Sequence, residues 1–461
     1  MNDRKTEARS LTQHKAGSLK ELFTLSLPLM LGGASGGLMM FLDRVILSYY
    51  SIPVMNAAVS ASMMAILFQY PLISIAAISE VFVGRFNGSK DYSRIGSAVW
   101  QMIWFSLASA IFFIPMALFS AKWVLPNAQY ELGKVYYQLM MGASPLFGIV
   151  AALTGYYVGQ GKTKKVMYLN FLANLANISL DYIFIFGIDG FVPEMGAAGA
   201  ALGTICGQTL LLIGLATFLW NDKAIREHGA RNYAVDGRLL KNSLKIGGPN
   251  AIAHLIEMAA HSIVLHLLSA ESTLHMTAFS IGHSLLLLVA FLNDGMQKGG
   301  MSIVSNFIGQ ERLEMIPKTL KSMIKLNTLT VLLFAIPVLL FPKTIAAAFL
   351  GLDVSSEVEI LRYAPAIYVG LCLFLLVDSF AWSFATIFTA AGDTIFMMVV
   401  GTINVYVFDV LAIYLSIHIY HMSPAWVWYT ANFFAFMNLT VFSLRYYSGT
   451  WKKYISKTQT L

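Results

Sequence analysis

Charge is what this 461-residue sequence has least of: Asp, Glu, Lys and Arg make up 12% of it, against about 25% in ordinary soluble domains. A chain that is 57% hydrophobic and so poor in charge cannot clothe a water-facing surface, which leaves a polytopic membrane protein. Cysteine is scarcer still. Cys206 and Cys372 both lie inside apolar segments, too few and too buried for a disulfide framework or a thiolate metal site. No G-x-x-x-x-G-K-[ST] loop occurs, so ATP-driven work by this chain alone is not expected. The net charge of +7 is spread over short loops instead of gathered in a patch, and nucleic-acid binding is not expected either.

What is present is a series of apolar runs, each long enough to cross hydrocarbon as a helix of roughly twenty residues. About twelve can be marked: 22–47, 58–83, 99–119, 135–157, 166–186, 200–219, 244–268, 276–304, 326–341, 360–386, 396–417 and 425–444. They are apolar all round, without the alternation of outer-membrane strands, so they read as helices. Basic residues collect in every second connection: Arg4, Lys5, Arg9, Lys15 and Lys20 before span one, then Arg85, Lys90 and Arg94, then Lys162, Lys164 and Lys165. The pattern continues with Lys223 to Lys245, with Arg312, Lys318 and Lys321, and with Arg445 to Lys457 at the end. Both termini are therefore expected in the cytoplasm. Only the tight connection 392–394 lacks a base, having Asp393 instead. The first twenty residues are too polar for a cleaved signal peptide, and no small-residue cleavage site follows Leu22.

The longest polar segment divides the chain into similar halves. The organisation expected is a tail at 1–20, a bundle at 21–220, a linker at 221–240, a second bundle at 241–447 and a tail at 448–461. The halves resemble each other. Pro28 and Pro249 lie 221 positions apart, as do Phe86 and Phe307, and Gly88 and Gly309; Gly161-Lys-Thr has a counterpart in Gly392-Asp-Thr at a longer offset. Six spans per half, each half starting inside, make a parallel repeat with its axis along the membrane normal, an arrangement that places binding sites between the copies. The fold expected is all-α, with twelve transmembrane helices in two six-helix bundles.

Against this apolar background three carboxylates stand out: Asp43 in span one, Glu257 in span seven and Asp378 in span ten. An acid at mid-membrane costs about 2.5–3.5 kcal/mol on insertion scales and survives where it faces protein or a water cavity. These three are candidate ion-coupling groups. Asn174, Asn177 and Asp181 are spaced three and four apart, on one helical face; they suit a cavity lining or interhelical amide packing. His254, Glu257 and His261 also share a face, as H-x-x-E-x-x-x-H, fit for a proton relay. A metal would need a further ligand such as His283 or Asp294, and the spacing matches no recognised zinc motif, so no metal is expected. Asp294 and Lys298, four apart, either neutralise each other or set the field of a cavity. Pro28 and Pro249 can bend their helices by removing a backbone hydrogen bond. With 23 Met, 31 Phe, 21 Tyr and 8 Trp, part of the surface can offer soft packing and cation–ring attraction to apolar cations.

In order along the chain, Leu27-Pro-Leu-Met, Phe41-Leu-Asp-Arg, Phe86-Asn-Gly-Ser-Lys-Asp-Tyr, Gly247-Gly-Pro, Ile256-Glu-Met, Val377-Asp-Ser and Ala391-Gly-Asp-Thr resemble the multidrug and toxic compound extrusion (MATE) family, in its NorM-like branch. The resemblance runs from about Leu19 to Tyr447. It implies a secondary antiporter, not an enzyme and without cofactor, that exchanges Na+ or H+ for organic, cationic and aromatic compounds. Asp43, Glu257 and Asp378 fall on the family's acidic positions in spans one, seven and ten. Glu80, Asp294, Lys298 and the histidines depart from its pattern and leave the coupling ion open. A multi-pass inner-membrane monomer, with the bilayer, small organic substrates and a coupling cation as partners, is the expectation. The alternatives are a lipid-linked precursor flippase of related fold and an intramembrane metalloenzyme built on His254, Glu257 and His261.

Overall fold

The computed structural model describes residues 8–221, 226–351, 353–354 and 358–459; Arg4, Lys5 and Lys223, and part of the expected linker, lie outside them. Among the described residues ten helices are long and apolar enough to cross a bilayer: Leu19–Tyr50 (span one), Ile52–Ser89 (two), Tyr92–Phe119 (three), Thr163–Phe186 (five), Ala197–Trp220 (six), Gly237–Glu271 (seven), Thr273–Gly309 (eight), Leu313–Leu340 (nine), Glu359–Ala391 (ten) and Thr394–Ile419 (eleven). Span four is a broken pair, Asn127–Gly142 and Ser144–Gly159, bent by 43°. Pro145 begins its second half, where the missing N–H costs nothing. Span twelve, Trp426–Tyr447, is too polar to qualify by composition. Its amides are satisfied within the protein: Asn432 donates to Gly370 O at 3.0 Å, and Asn404 of span eleven donates to Asn438 at 2.7 Å. Several helices outrun their apolar windows because polar caps extend them. Span seven starts at Gly237, where the Asp236 carboxylate accepts from the N–H groups of Arg238 and Leu239.

The two bundles meet near the face that carries both chain termini. There the repeated motif ending span two packs against its copy ending span eight. A Cβ on Gly88 would strike the backbone of Asn306, and one on Gly309 would strike the backbone of Arg85; both pairs obey the 221 offset with the bundles exchanged. Hydrogen bonds close the same seam. Ser302 donates to Val158 O at 2.6 Å, Asn306 to Gly159 O at 2.8 Å, and Asn87 to Asn306 Oδ1 at 2.6 Å. The exchange extends to the cores: Leu22 and Leu25 of span one join the cluster of spans eight to ten, and Leu239 and Ile246 of span seven join that of spans two to six.

Higher up, contact is carried by Gly295 on Met30, Phe291 on Gly33 and Gly37, Ile75 on Gly247, and Tyr70 on His254. Over the turn beyond Gly37 and Phe291, Leu38, Phe41, Leu287 and Leu288 are exposed. The contacts between bundles named above thus run from the terminal face to about Gly37 and Phe291.

Segments outside the spans reinforce the closed end. Residues 226–236 form a belt on span three, with Trp100, Trp104 and Gln101 donating to the carbonyls of Ala230, Tyr233 and Ala234. The residues before span one cross the seam: Arg9 exchanges two hydrogen bonds with Gln310 and donates to Asn87 O at 2.6 Å. Their fold is held by buried Glu21, which accepts from Ser10, Leu11 and Gly17. At the other terminus Trp451 is buried and stacks on Tyr446.

Candidate functional site

In the first bundle, the candidate residues of span five turn toward spans one and six. Asn174 donates to Ser35 of span one at 2.8 Å, and Asn177 reaches Thr204 of span six and Asp181, each at 3.4 Å. Asp181 is fully buried, and its carboxylate comes within hydrogen-bonding reach of the Asp43 carboxylate. Asp43 Oδ1, Asp181 Oδ2 and Asn177 Oδ1 are buried acceptors without a donor among the described residues. Two carboxylates this close cannot both ionise unless something positive lies between them. The oxygen set suits a proton or a small hard cation. Span six allows this crowding: Gly203 and Gly207 lie against Asp181 and Asn177, where a Cβ would collide. Tyr136 of span four stands close enough to sense both acids.

In the second bundle, Glu257 and Asp378 lie near enough to repel each other. Glu257 also faces Gly401 of span eleven and lies 3.7 Å from His254. The His254 ring stacks on Tyr70 of span two, centroids 3.8 Å apart. Asp294 and Lys298 of span eight form a 2.7 Å ion pair beside them. Tyr70 senses this pair and Glu257, so spans two, seven and eight present one polar surface where the bundles meet.

The H-x-x-E-x-x-x-H pattern divides in the structure. His261 does not complete a cluster with His254 and Glu257: its ring meets His283 and Phe279, at 5.0 and 5.3 Å. Among the described residues no group of three His, Cys, Asp or Glu converges as a metal site. Asp294 pairs with Lys298, as their four-residue spacing suggested. Pro28 and Pro249 sit within helices that run unbroken.

Sequence reasoning missed Tyr136, Thr204, Asp409 and the Asp43–Asp181 contact. Glycines at 199, 203 and 207 spell a small-residue ridge that marks close helix approach and could have flagged the neighbours of Asp181. Asp409 lies in a π-helical stretch, Val405–Val410, whose position no sequence period announces. Also unforeseen is a clasp at the opposite face, where His418 and His421 bond the two oxygens of Glu271 at 3.1 and 3.2 Å.

The family model described as MatE matches residues 28–183 and 248–415, one stretch in each bundle. The chain belongs to the MatE family. Its relatives include the "Probable multidrug resistance protein NorM" of Thermotoga maritima, 24% identical over 94% of this chain and 93% of that protein. The protein of the same name from Synechocystis sp. is 23% identical over 89% and 90%. Among solved structures, one described as the outward-facing conformation of a multidrug resistance MATE family transporter of the MOP superfamily superposes with a TM-score of 0.82. It is 18% identical over the whole of both chains. A MOP superfamily transporter from Pyrococcus furiosus, whose description reports a binding pocket of reverse polarity, gives 0.79 at 18% identity, again over both whole chains. For this MatE protein these likenesses fix the fold: twelve helices in two bundles.

Proposed function

We propose that this protein is a multidrug efflux antiporter of the inner membrane, with both termini cytoplasmic, exchanging Na+ or H+ for organic, cationic and aromatic compounds. The observation that carries this reading is the pair of facing carboxylates, Asp43 and Asp181, beside Asn177 in the membrane interior. Such a pair is stable only while it holds a proton or cation, so its occupancy couples to the packing of spans one, five and six. Glu257 and Asp378 repeat the principle in the second bundle, within reach of a cleft edged by Tyr70 and His254. The names of the NorM relatives support drugs as cargo. With the terminal face in the cytoplasm, the cleft is open to the outside. A cation enters from there, occupies the carboxylates, lowers affinity for cargo and leaves inside once the bundles rock. A potential of 100 mV supplies about 2.3 kcal/mol per charge moved. The unit is a monomer, with boundaries at 21–220 and 241–447 and no catalytic step.

The test is export of a cationic dye from proteoliposomes under imposed sodium or proton gradients. Wild type exports under at least one gradient, Asp43→Asn inserts normally but loses gradient-driven export, and Glu257→Gln is impaired. If neither gradient drives export of any cationic dye, the antiporter reading fails.

A further inference from the structure

Glu80 is a buried acid that the scheme above does not use. It follows the break between Ile52–Ala77 and Ser79–Ser89 in span two. Ser79 anchors that break by donating to Ala152 O at 2.9 Å. The Glu80 residue is 3% exposed, and its Oε1 has no hydrogen-bond partner among the described residues. A carboxylate kept for structure is expected to be hydrogen-bonded, because burying it unpaired is costly.

Its surroundings do not relieve it. Span four meets it with Gly155 and Gly159, which bring no charge and no side-chain donor. On its own helix, the Arg85 guanidinium donates to Ala390 O. On span eight, Lys298 and Asp294 are within electrostatic reach of Glu80, and Tyr70 of span two is within reach of Lys298. Yet the Lys298 ammonium already donates to Asp294 at 2.7 Å. The cation within electrostatic reach of Glu80 across the boundary between bundles is thus already paired with another acid. The Lys298 and Asp294 side chains are 38% and 59% exposed, whereas Glu80 is sealed, and one turn further on Gly84 packs on Ser305 in the seam.

From this placement we infer that Glu80 is a further coupling carboxylate, which holds a proton while the terminal seam is closed and releases it when the seam opens. Resting on the antiporter reading, the step is a simple proton transfer. The O–H bond on Glu80 breaks, its electron pair stays on the carboxylate, and the proton passes to water admitted from the cytoplasm. A sodium ion is a poor occupant here because it needs several oxygen ligands, and the nearby carbonyls of Val158 and Gly159 already accept from Ser302 and Asn306. Lys298 belongs to the other bundle, so opening the seam withdraws a charge that favours ionised Glu80, and release is driven by the water that the opening admits.

The experiment places spin labels at Lys164→Cys and Lys321→Cys, exposed positions at the terminal ends of spans five and nine. Cys206 and Cys372 are replaced, and the distance distribution is followed from pH 5 to 9 beside dye export in proteoliposomes. Wild type is expected to shift from closed to open as pH rises. Glu80→Gln, a permanently neutral isostere, is expected to stay closed across the range, to export at least tenfold more slowly and to move one proton fewer per dye. Lys298→Met, which leaves Glu80 intact, is expected to keep the closed population to higher pH than wild type. It provides the reading should Glu80→Gln fail to fold. If wild type exports dye while Glu80→Gln keeps its pH response and proton count, or Lys298→Met its pH response, the inference is overturned. Failure of wild type to export at all overturns the antiporter reading instead.

Discussion

Replacing Gly88 with Ala puts a methyl group against the Asn306 carbonyl, with the Asn306 C and Cα 3.0 and 3.1 Å from the new Cβ. Gly309→Ala repeats the insult on the other bundle, with Arg85 C and Cα at 2.7 and 2.9 Å. These are backbone atoms of packed helices, so no side-chain rotation clears them. Overpacking of this kind costs roughly 1–3 kcal/mol. The clash exists only while the seam is closed, so the cost falls on one conformation, and 1–3 kcal/mol corresponds to a shift of about 5- to 150-fold in the closed-to-open ratio. The assay is the distance distribution between labels at positions 164 and 321. Both variants should gain a long-distance population of similar size, because the two contacts are copies of one another. A closed distribution unchanged in either folded variant would refute the claim that these glycines gate the seam; a large effect in one alone would refute their equivalence.

Three further outcomes are expected. Gly203→Ala should push on the Asp181 carboxylate and reduce gradient-driven dye export at least tenfold while every acidic residue is retained. Export at the wild-type rate would mean that this packing is irrelevant to coupling. Arg445→Ala strands Asp393, which is fully buried and held at 2.9 and 3.2 Å by the guanidinium. Burial pushes the Asp393 carboxyl above its ordinary value, and Arg445 pulls it part of the way back. A carboxyl so raised favours the fold when protonated and loses that contribution as pH climbs from 3.8 through its folded value. The variant should therefore lose about 3–5 kcal/mol at pH 7.5 and visibly less at pH 4.5, as read by melting in detergent. Arg9→Ala removes exposed bonds to Asn87 and Tyr92 worth about 0.5–1 kcal/mol. A two- to fivefold rise in the open population at positions 164 and 321 should follow.

The spans were legible because hydrocarbon imposes one requirement, apolar length, on every one of them. Span twelve was the weakest signal on the same ground: half-buried Asn432 and buried Asn438 are polar groups whose partners, Gly370 and Asn404, lie on other helices. The repeat was legible too, since Gly88 and Gly309 are irreplaceable at a backbone contact. What those glycines touch was not. Sequence spacing places Asn177 and Asp181 on one face because helical periodicity is local. It carries no information that Asp43, over a hundred residues earlier, meets them there. The H-x-x-E-x-x-x-H pattern misleads for the complementary reason: residues on a common face still choose partners by tertiary packing, and His261 turns to His283 and Phe279.

The repeat therefore governs mechanics and chemistry differently. At the seam, residues 221 positions apart exchange equivalent roles, because two bodies that close on each other along a two-fold axis must present the same backbone profile. The charged groups are free of that constraint. At the same offset the position matching Asp43 is Val264, buried in the second bundle's core, and the one matching Glu257 is Gly36, where a Cβ would meet nothing within 4 Å. On the antiporter reading, a cation bound at either acidic site would perturb one bundle, while the seam it acts through is shared by both. Paired effects are accordingly expected from substitutions in the seam, and unpaired ones from substitutions of the carboxylates.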